Sequence, residues 1–157
     1  MFTLISCIGK NREIGRGKQL VFNIKEDMKW FRETTTGHPV VMGYNTWNSL
    51  PGKLKNRENL VVSYKDVPEA DRTIKDLDEF IKCHKDIEEE IFIIGGGMIY
   101  TAFLPYAKRL FLTEVDATAD DATVFFPKFD KSKYSRKVIK KGKDHDLTFT
   151  IVQYTKK

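Results

Sequence analysis

Four short apolar runs punctuate the first two-thirds of the chain: FTLISCI (2–8), PVVMG (39–43), NLVVS (59–63) and IFIIG (91–95). Each is rich in aliphatic residues, lacks apolar–polar alternation and is bounded by Gly, Pro or Ser. That pattern suits strands covered on both faces inside a parallel sheet. Between and after them, apolar residues recur at helical spacing in IKEDMKWFRETT (24–35), YNTWNSL (44–50), LDEFIKCH (77–84) and MIYTAFLPYA (98–107). Alternating strand and helix predict an α/β sheet with helices on its faces. The last third changes character. RLFLTEVDA (109–117), YSRKVIKKG (134–142) and LTFTIVQYT (147–155) are strand-like with no helix between them, and KKGKDHD (140–146) reads as a hairpin connection. The expected fold is a mixed sheet, parallel at its centre and antiparallel at its C-terminal edge.

Composition narrows the class. A chain of 157 residues fits one domain, here 1–157, and no repeat or linker divides it. With 41% hydrophobic and 31% charged residues it reads as an ordinary globule. No apolar run approaches the roughly 20 residues that span a bilayer. The opening MFTLISCIGKNR has no basic segment before its apolar run, so it reads as a first strand and not as a signal peptide. Cys7 and Cys83 make neither a disulfide framework nor a zinc pattern, which suits a reduced, cytoplasmic protein. His38, His84 and His145 are scattered, and Cys83 and His84 would face different ways on one helix, so no metal is expected. The net charge of +5 favours an anionic partner, either nucleic acid or a small polyanionic cofactor. The lysines of SRKVIKKGKDHD and TKK read as a solvated strand face and a frayed end.

In open α/β sheets, ligands gather at the carboxyl ends of the parallel strands. Every such end here runs into glycine or a small hydroxyl residue: GKNREIGRGKQL after the first run, Gly43 before YNTW, SYK after NLVV, and GGG after IFII. Glycines at strand ends can simply make turns. Gly43 and Gly95–Gly97, each set directly between strand and helix, also suit main chain lying against phosphate groups, with helix N-termini close behind. GGGMIY is not the G-x-G-x-x-G fingerprint, so a standard dinucleotide-binding domain fits poorly.

Asp27 falls in the first turn of the helix predicted over 24–35, with Asn23 as its expected cap. Phe31, four residues on, shares its face, and Met28 lies close by. A carboxyl group on an apolar face has a raised pKa if that face is buried, which suits it to proton transfer. If the face is solvated, Asp27 merely complements the helix dipole, as Glu26 next to it does. Arg57 reads either as a fork for a carboxylate ligand or as a solvated loop residue. Thr113 either bonds a ligand or fills its strand, and Trp30 and Trp47 read as packing residues.

These segments, taken in order (FTLISCIGKNREIG, EDMKWFRETT, HPVVMGYNTWNSLP, NRENLVVS, IFIIGGGMIY and FLPYAKRLFLTEV, then ATVFFP and the C-terminal hairpin), resemble dihydrofolate reductase of the short bacterial type along essentially the whole chain. The resemblance implies an eight-stranded mixed sheet with about four helices. It implies hydride transfer from NADPH, with NADH the lesser possibility, to C6 of dihydrofolate and protonation at N5, giving tetrahydrofolate. It also implies antifolate binding, a monomer, and no nucleic-acid or membrane partner. Asp27 would bind the pterin amino group and N3 and favour N5 protonation through water. Thr113 would hydrogen-bond Asp27 and the pterin through water. Ile5, Met28, Phe31, Leu50, Leu54 and Ile94 would wall the substrate, and Arg57 would clasp the carboxylate of its glutamate tail. Phe22 and Tyr100 would lie near the reacting rings. Ile14 to Leu20, including Gly15 and Gln19, would form a loop closing over the nicotinamide beside Cys7. Gly43, Tyr44, Asn45 and Thr46, with Val62, Ser63 and Tyr64, would hold the adenosine side. Gly95 and Gly96 would be joined by a cis peptide, and Gly97, Met98 and Ile99 would open a helix toward the pyrophosphate.

The chain also departs from the pattern it resembles. Val21-Phe22 stands where the family carries proline and tryptophan, which removes an indole N–H donor near the pterin. Tyr44 and Met98 replace arginines expected near the cofactor's 2′-phosphate, so NADPH preference is open, with Lys65 as a substitute cation. Rival readings are a related pterin or pyrimidine reductase, a basic nucleic-acid-binding module, and a ligand-binding relative without catalysis. Asp27 and Arg57 together favour a folate. SRKVIKKGK lacks the interleaved aromatics that a nucleic-acid platform needs.

Overall fold

A computed structural model describes residues 1–157. In chain order its strands are β1 (Phe2–Ile8), β2 (Glu13–Arg16), β3 (Gln19–Leu20), β4 (Val40–Gly43), β5 (Asn59–Val62), β6 (Arg72–Ile74), β7 (Ile91–Gly95), β8 (Ala107–Val115), β9 (Val124–Phe125), β10 (Tyr134–Asp144) and β11 (Leu147–Lys156). The helices are α1 (Lys25–Thr35), α2 (Tyr44–Ser49), α3 (Leu77–His84) and α4 (Gly97–Phe103), the last continued by a 3₁₀ turn over Leu104–Tyr106. Eight strands form the main sheet in the order β10-β11-β8-β1-β7-β4-β5-β6. All pairings from β8 to β6 are parallel, and only β11 and β10 run antiparallel. The expected mixed sheet with four helices is therefore what the chain builds.

The central strands β1, β4, β5 and β7 are buried almost throughout, as uninterrupted apolar runs require. One face of the sheet packs Leu4, Leu110, Leu112 and Val152 against Phe80, Ile81 and Phe103 of α3 and α4. The other packs Ile5, Met42, Phe92 and Phe111 against Trp30 and Phe31 of α1, Trp47 of α2 and Leu50 at the end of α2. Trp30 meets Phe111 edge-on, with ring centroids 5.7 Å apart, so both tryptophans are packing residues as expected. β10 is almost wholly exposed and lysine-rich, which discourages edge-to-edge pairing with another chain.

Three local expectations change. Asn23 does not cap α1: the cap position is Ile24, with no side-chain bond. Instead the Lys25 amide donates to Asp144 Oδ2 at 2.9 Å, from the C-terminal hairpin 119 positions away. Second, the long polar loop after β1 is partly ordered. β2 and β3 form a small hairpin with Arg16 opposite Gln19, and Gly17 at its tip has a φ of +58° that only glycine adopts freely. β9 joins β2 to complete a three-stranded sheet. Third, the C-terminal connection is tighter than KKGKDHD suggested, because Asp144 pairs with Leu147 and only His145 and Asp146 form the turn.

Losing the remote cap has a measurable cost. Asp144→Ala is expected to destabilise the fold by about 1 kcal/mol, the usual worth of a side-chain cap. A lower urea midpoint at unchanged slope checks this. An unchanged midpoint would show that the Asp144 carboxylate adds nothing.

Candidate functional site

α1 crosses the sheet with Ile24, Phe31 and Thr35 turned inward, and the same stripe carries Asp27. β1 and β8 pair in a register that sets Cys7 beside Thr113, and β11 sets Ile151 beside Thr113 from the other side. Asp27 comes down on this row. Thr113 Oγ1, fully buried, donates directly to Asp27 Oδ1 at 2.5 Å across 86 positions of sequence. Cys7, Phe22, Ile24, Val115, Phe149 and Ile151 form the apolar cluster around this end of the sheet. Burial pushes the Asp27 carboxyl above the ordinary aspartate range, and hydrogen bonds from Thr113 and Cys7 work against that rise. Burial also lifts the Cys7 thiol well above its usual value, and the adjacent Asp27 adds to the effect. The carboxyl group is thus desolvated and anchored at one oxygen, the first of the two alternatives the sequence left open.

Phe31, Leu50, Leu54 and Ile94 are half-buried on the same side of the sheet as Asp27 and pack against the Ile5–Phe111 cluster. Met28 is 47% exposed, so it stands at the rim and not in the floor. Tyr100 is buried, and its hydroxyl donates to the Ile5 carbonyl at 2.7 Å. Burial raises its pKa, so it remains a neutral phenol.

Arg57 is half-buried and faces no carboxylate. Its Nε donates to the Lys55 carbonyl at 2.9 Å, and one terminal nitrogen donates to Thr35 Oγ1 at 3.0 Å. Burial, with Arg32 nearby, lowers its pKa. The segment that carries it is held by Asn59, a fully buried residue the sequence did not mark. Asn59 Nδ2 donates to the carbonyls of Leu54 and Arg57, while its Oδ1 accepts from the Leu54 amide. Thr35 was missed as well. The only available signal for Asn59 was a polar residue opening an apolar strand, and burial becomes apparent only in the fold.

The glycine-rich ends of β4 and β7 are neighbours, with Met42 paired to Gly95. The Gly95–Gly96 peptide is cis, as the resemblance implied. Gly95 has φ +120°, and a Cβ there would lie 3.3 Å from the Tyr100 ring. At Gly43 a Cβ would approach Ile99 to 3.0 Å. Neither α2, entered through Gly43, nor α4, entered through Gly96, has a side-chain cap, so no capping side chain takes up their first amides. Thr46 reaches within 3.6 Å of where a Gly96 Cβ would stand. Next along, β5 runs out through Val62 to Ser63, whose Oγ accepts from the Lys65 amide at 3.1 Å. Asn45 is exposed at the same edge. Tyr44, Tyr64 and Met98 are the exposed large hydrophobic side chains there, at 43%, 96% and 88%.

Gly15, Gln19 and Leu20 lie on the β2–β3 hairpin, with Gln19 and Leu20 exposed and Ile14 anchored in the main core. Phe22, which follows the hairpin, is buried against Gly9 and belongs to the cluster shared with Cys7. No group of three or more His, Cys, Asp or Glu side chains could hold a metal ion. No helix is long and apolar enough to cross a membrane.

A family model described as dihydrofolate reductase matches residues 1–156. Dihydrofolate reductase HdrB of Haloferax volcanii is 32% identical over 167 residues, covering 99% of this chain and 84% of the relative. The dihydrofolate reductase of Bacillus subtilis is 31% identical over 163 residues, with 100% and 95% covered. That of Neisseria gonorrhoeae is 35% identical over 165 residues, with 97% and 96% covered.

Proposed function

The chain belongs to the dihydrofolate reductase family, and from that premise we propose how its own residues carry the reduction of dihydrofolate to tetrahydrofolate. The chemistry supplied by bound NADPH is hydride donation to C6 of dihydrofolate. The protein's tasks are binding, orientation, exclusion of water and control of one proton at N5.

Asp27 takes the pterin. Its carboxylate accepts from the amino group and N3, while Thr113 donates to Oδ1. As a carboxyl group whose pKa burial has raised, it favours a protonated N5, with water completing the path. The recessed Asp27–Thr113 pair is the single observation that most supports this reading. Ile5, Ile94, Phe31, Leu50, Leu54 and Met28 wall the substrate, and Arg57 binds the α-carboxylate of the tail with its remaining donors. Phe22 supplies ring packing beside the pterin, and Tyr100 fixes the strand end next to the reacting rings.

The rim at β4, β5 and β7 fits a dinucleotide. Uncapped starts of α2 and α4 and three successive glycines suit a pyrophosphate. Gly43–Thr46 and Val62–Tyr64 suit the adenosine half, and Cys7 and the β2–β3 hairpin, Ile14 to Leu20, suit the nicotinamide half. For the 2′-phosphate, cations are scarce. Lys75 is paired with Asp66 at 2.6 Å, which leaves Lys65 as the free ammonium group in this segment. We expect Lys65→Ala to weaken NADPH binding about 2- to 5-fold, the worth of one exposed ion pair, and to leave NADH binding unchanged. Cofactor titration by fluorescence checks this, and equal losses for both cofactors would remove Lys65 from that role.

The enzyme acts, on this proposal, as a single-domain cytoplasmic monomer without nucleic-acid or membrane partners. Two free cysteines support a reducing compartment. The test of the function is NADPH oxidation that depends on added dihydrofolate and is blocked by an antifolate. NADPH oxidation with a pterin lacking the glutamate tail at equal kcat/KM would favour a related pterin reductase.

A further inference from the structure

Glu13 has no part in the site described above, yet it is the least solvent-exposed carboxylate of the chain, at 2% exposure. Its Oε1 accepts from the Asn11 amide at 2.7 Å and its Oε2 from the Ala119 amide at 2.7 Å. No cation pairs with it. Burial alone would raise its pKa, but the amides of Ala119, Glu13 itself and Asn11 outweigh burial and hold it low, so it is ionised at neutral pH. A charge without a counter-ion is kept only where its hydrogen bonds are all made.

Those bonds join two segments that the main sheet does not hold together. Asn11 lies in the turn leading into β2, the first strand of the small hairpin. Ala119 lies in the connection from β8 to β9. The same two segments meet elsewhere: the Lys10 amide donates to the Ala117 carbonyl at 2.9 Å, the Thr123 amide to Gly15 at 2.8 Å, and the Gly17 amide to Thr123 Oγ1 at 2.8 Å. Arg16 bonds Asp121 at the exposed tip. Glu13 is the buried member of this set. A Cβ at Gly9 would lie 2.5 Å from Glu13 Oε1 and 2.8 Å from the Phe22 ring, so carboxylate and ring close on the same glycine from two sides. Phe22 in turn packs in the cluster with Cys7 beside Asp27.

We propose that Glu13 is a positioning residue for the reduction: its carboxylate latches the β2–β3 hairpin to the 116–123 connection and thereby holds the hairpin over the nicotinamide side of the cleft. The inference rests on the proposed place of that hairpin at the cofactor. Loosening it shortens cofactor residence, while Asp27 and Arg57 still hold the substrate.

The test uses the full chain with Glu13→Gln, which keeps the shape but turns an amide donor toward one of the two N–H groups. Hydrogen exchange of the ligand-free protein is followed at Gly17, Val21 and Thr123, alongside β1 and β8 amides, and NADPH affinity is measured separately. The latch predicts exchange at least tenfold faster at these three amides, with β1 and β8 unchanged. It also predicts an NADPH dissociation constant raised about tenfold and a KM for dihydrofolate within twofold. Exchange that rises equally everywhere, or not at all at the hairpin, overturns the latch. Loosened hairpin amides with unchanged NADPH affinity support the latch and overturn the hairpin's place at the cofactor. If Glu13→Gln folds poorly, Glu13→Val fills the space without a misplaced donor, and the same outcomes apply.

Discussion

Replacing Asp27 by asparagine is expected to lower kcat/KM for dihydrofolate at neutral pH by about 10²- to 10⁴-fold, the usual contribution of a positioned acid or base. Asparagine is nearly isosteric and its Oδ1 still accepts from Thr113, so the loss reports the proton and not the packing. The same substitution is expected to stabilise the fold. Because burial favours the neutral carboxyl, the folded chain holds its proton to higher pH than the unfolded chain does. Stability therefore falls as pH rises between the two pKa values, and above both the folded state bears the full cost of the desolvated charge. Asparagine bears none of it. The thermal midpoint should rise at neutral pH and match the parent at about pH 3, below the unfolded carboxyl's range. Steady-state kinetics and two melting curves check both halves. Full activity in the asparagine variant would end the role assigned to Asp27.

The second large effect is expected at Arg57. Arg57→Leu should raise KM for dihydrofolate about 10- to 100-fold, from loss of hydrogen bonds to a charged group worth roughly 1.5–3 kcal/mol. KM for NADPH should stay within about twofold, because Arg57 sits on the 50–58 segment and the cofactor rim lies across β4 at the far strand ends. Its guanidinium already donates to Lys55 and Thr35, and Asn59 braces the backbone that carries it. The donors left over are thus preorganised, which is what a two-point carboxylate contact needs. A substrate truncated of its glutamate should bind parent and variant equally. Equal losses for substrate and cofactor would contradict the clasp.

How far the sequence disclosed this arrangement depended on the range of the interaction. β1, β4, β5 and β7 were legible because buried parallel strands must be apolar on both faces, and FTLISCI, PVVMG, NLVV and IFIIG are. α1 and α3 were legible from helical spacing. β6 and β9 were not, since three- and two-residue strands carry no period. The β2–β3 hairpin was hidden because Gly15 and Gly17 read equally well as loop glycines. The cap on α1 was misassigned to Asn23 because capping rules look at neighbouring residues, whereas Asp144 arrives from the other end of the chain.

The site shows the same division. Asp27 and Phe31 on one helix face followed from spacing alone. That Thr113 closes directly on Asp27, without an intervening water, is set by strand register and could not be read from positions 86 apart. Glu13 and Asn59 were invisible for a simpler reason: charged and amide side chains are presumed exposed, and only a fold that supplies every hydrogen bond can bury them.

The most direct test of the central claim is the titration of the Asp27 carboxyl carbon by NMR in the ligand-free protein, assigned by comparison with Asp27→Asn. The account predicts a midpoint clearly above the ~3.9 of a model aspartate, accompanied by a shift of the Thr113 signals at the same pH. A midpoint at or below that value would mean a well-solvated or fully compensated carboxylate, and the proton-handling role proposed for Asp27 would be contradicted.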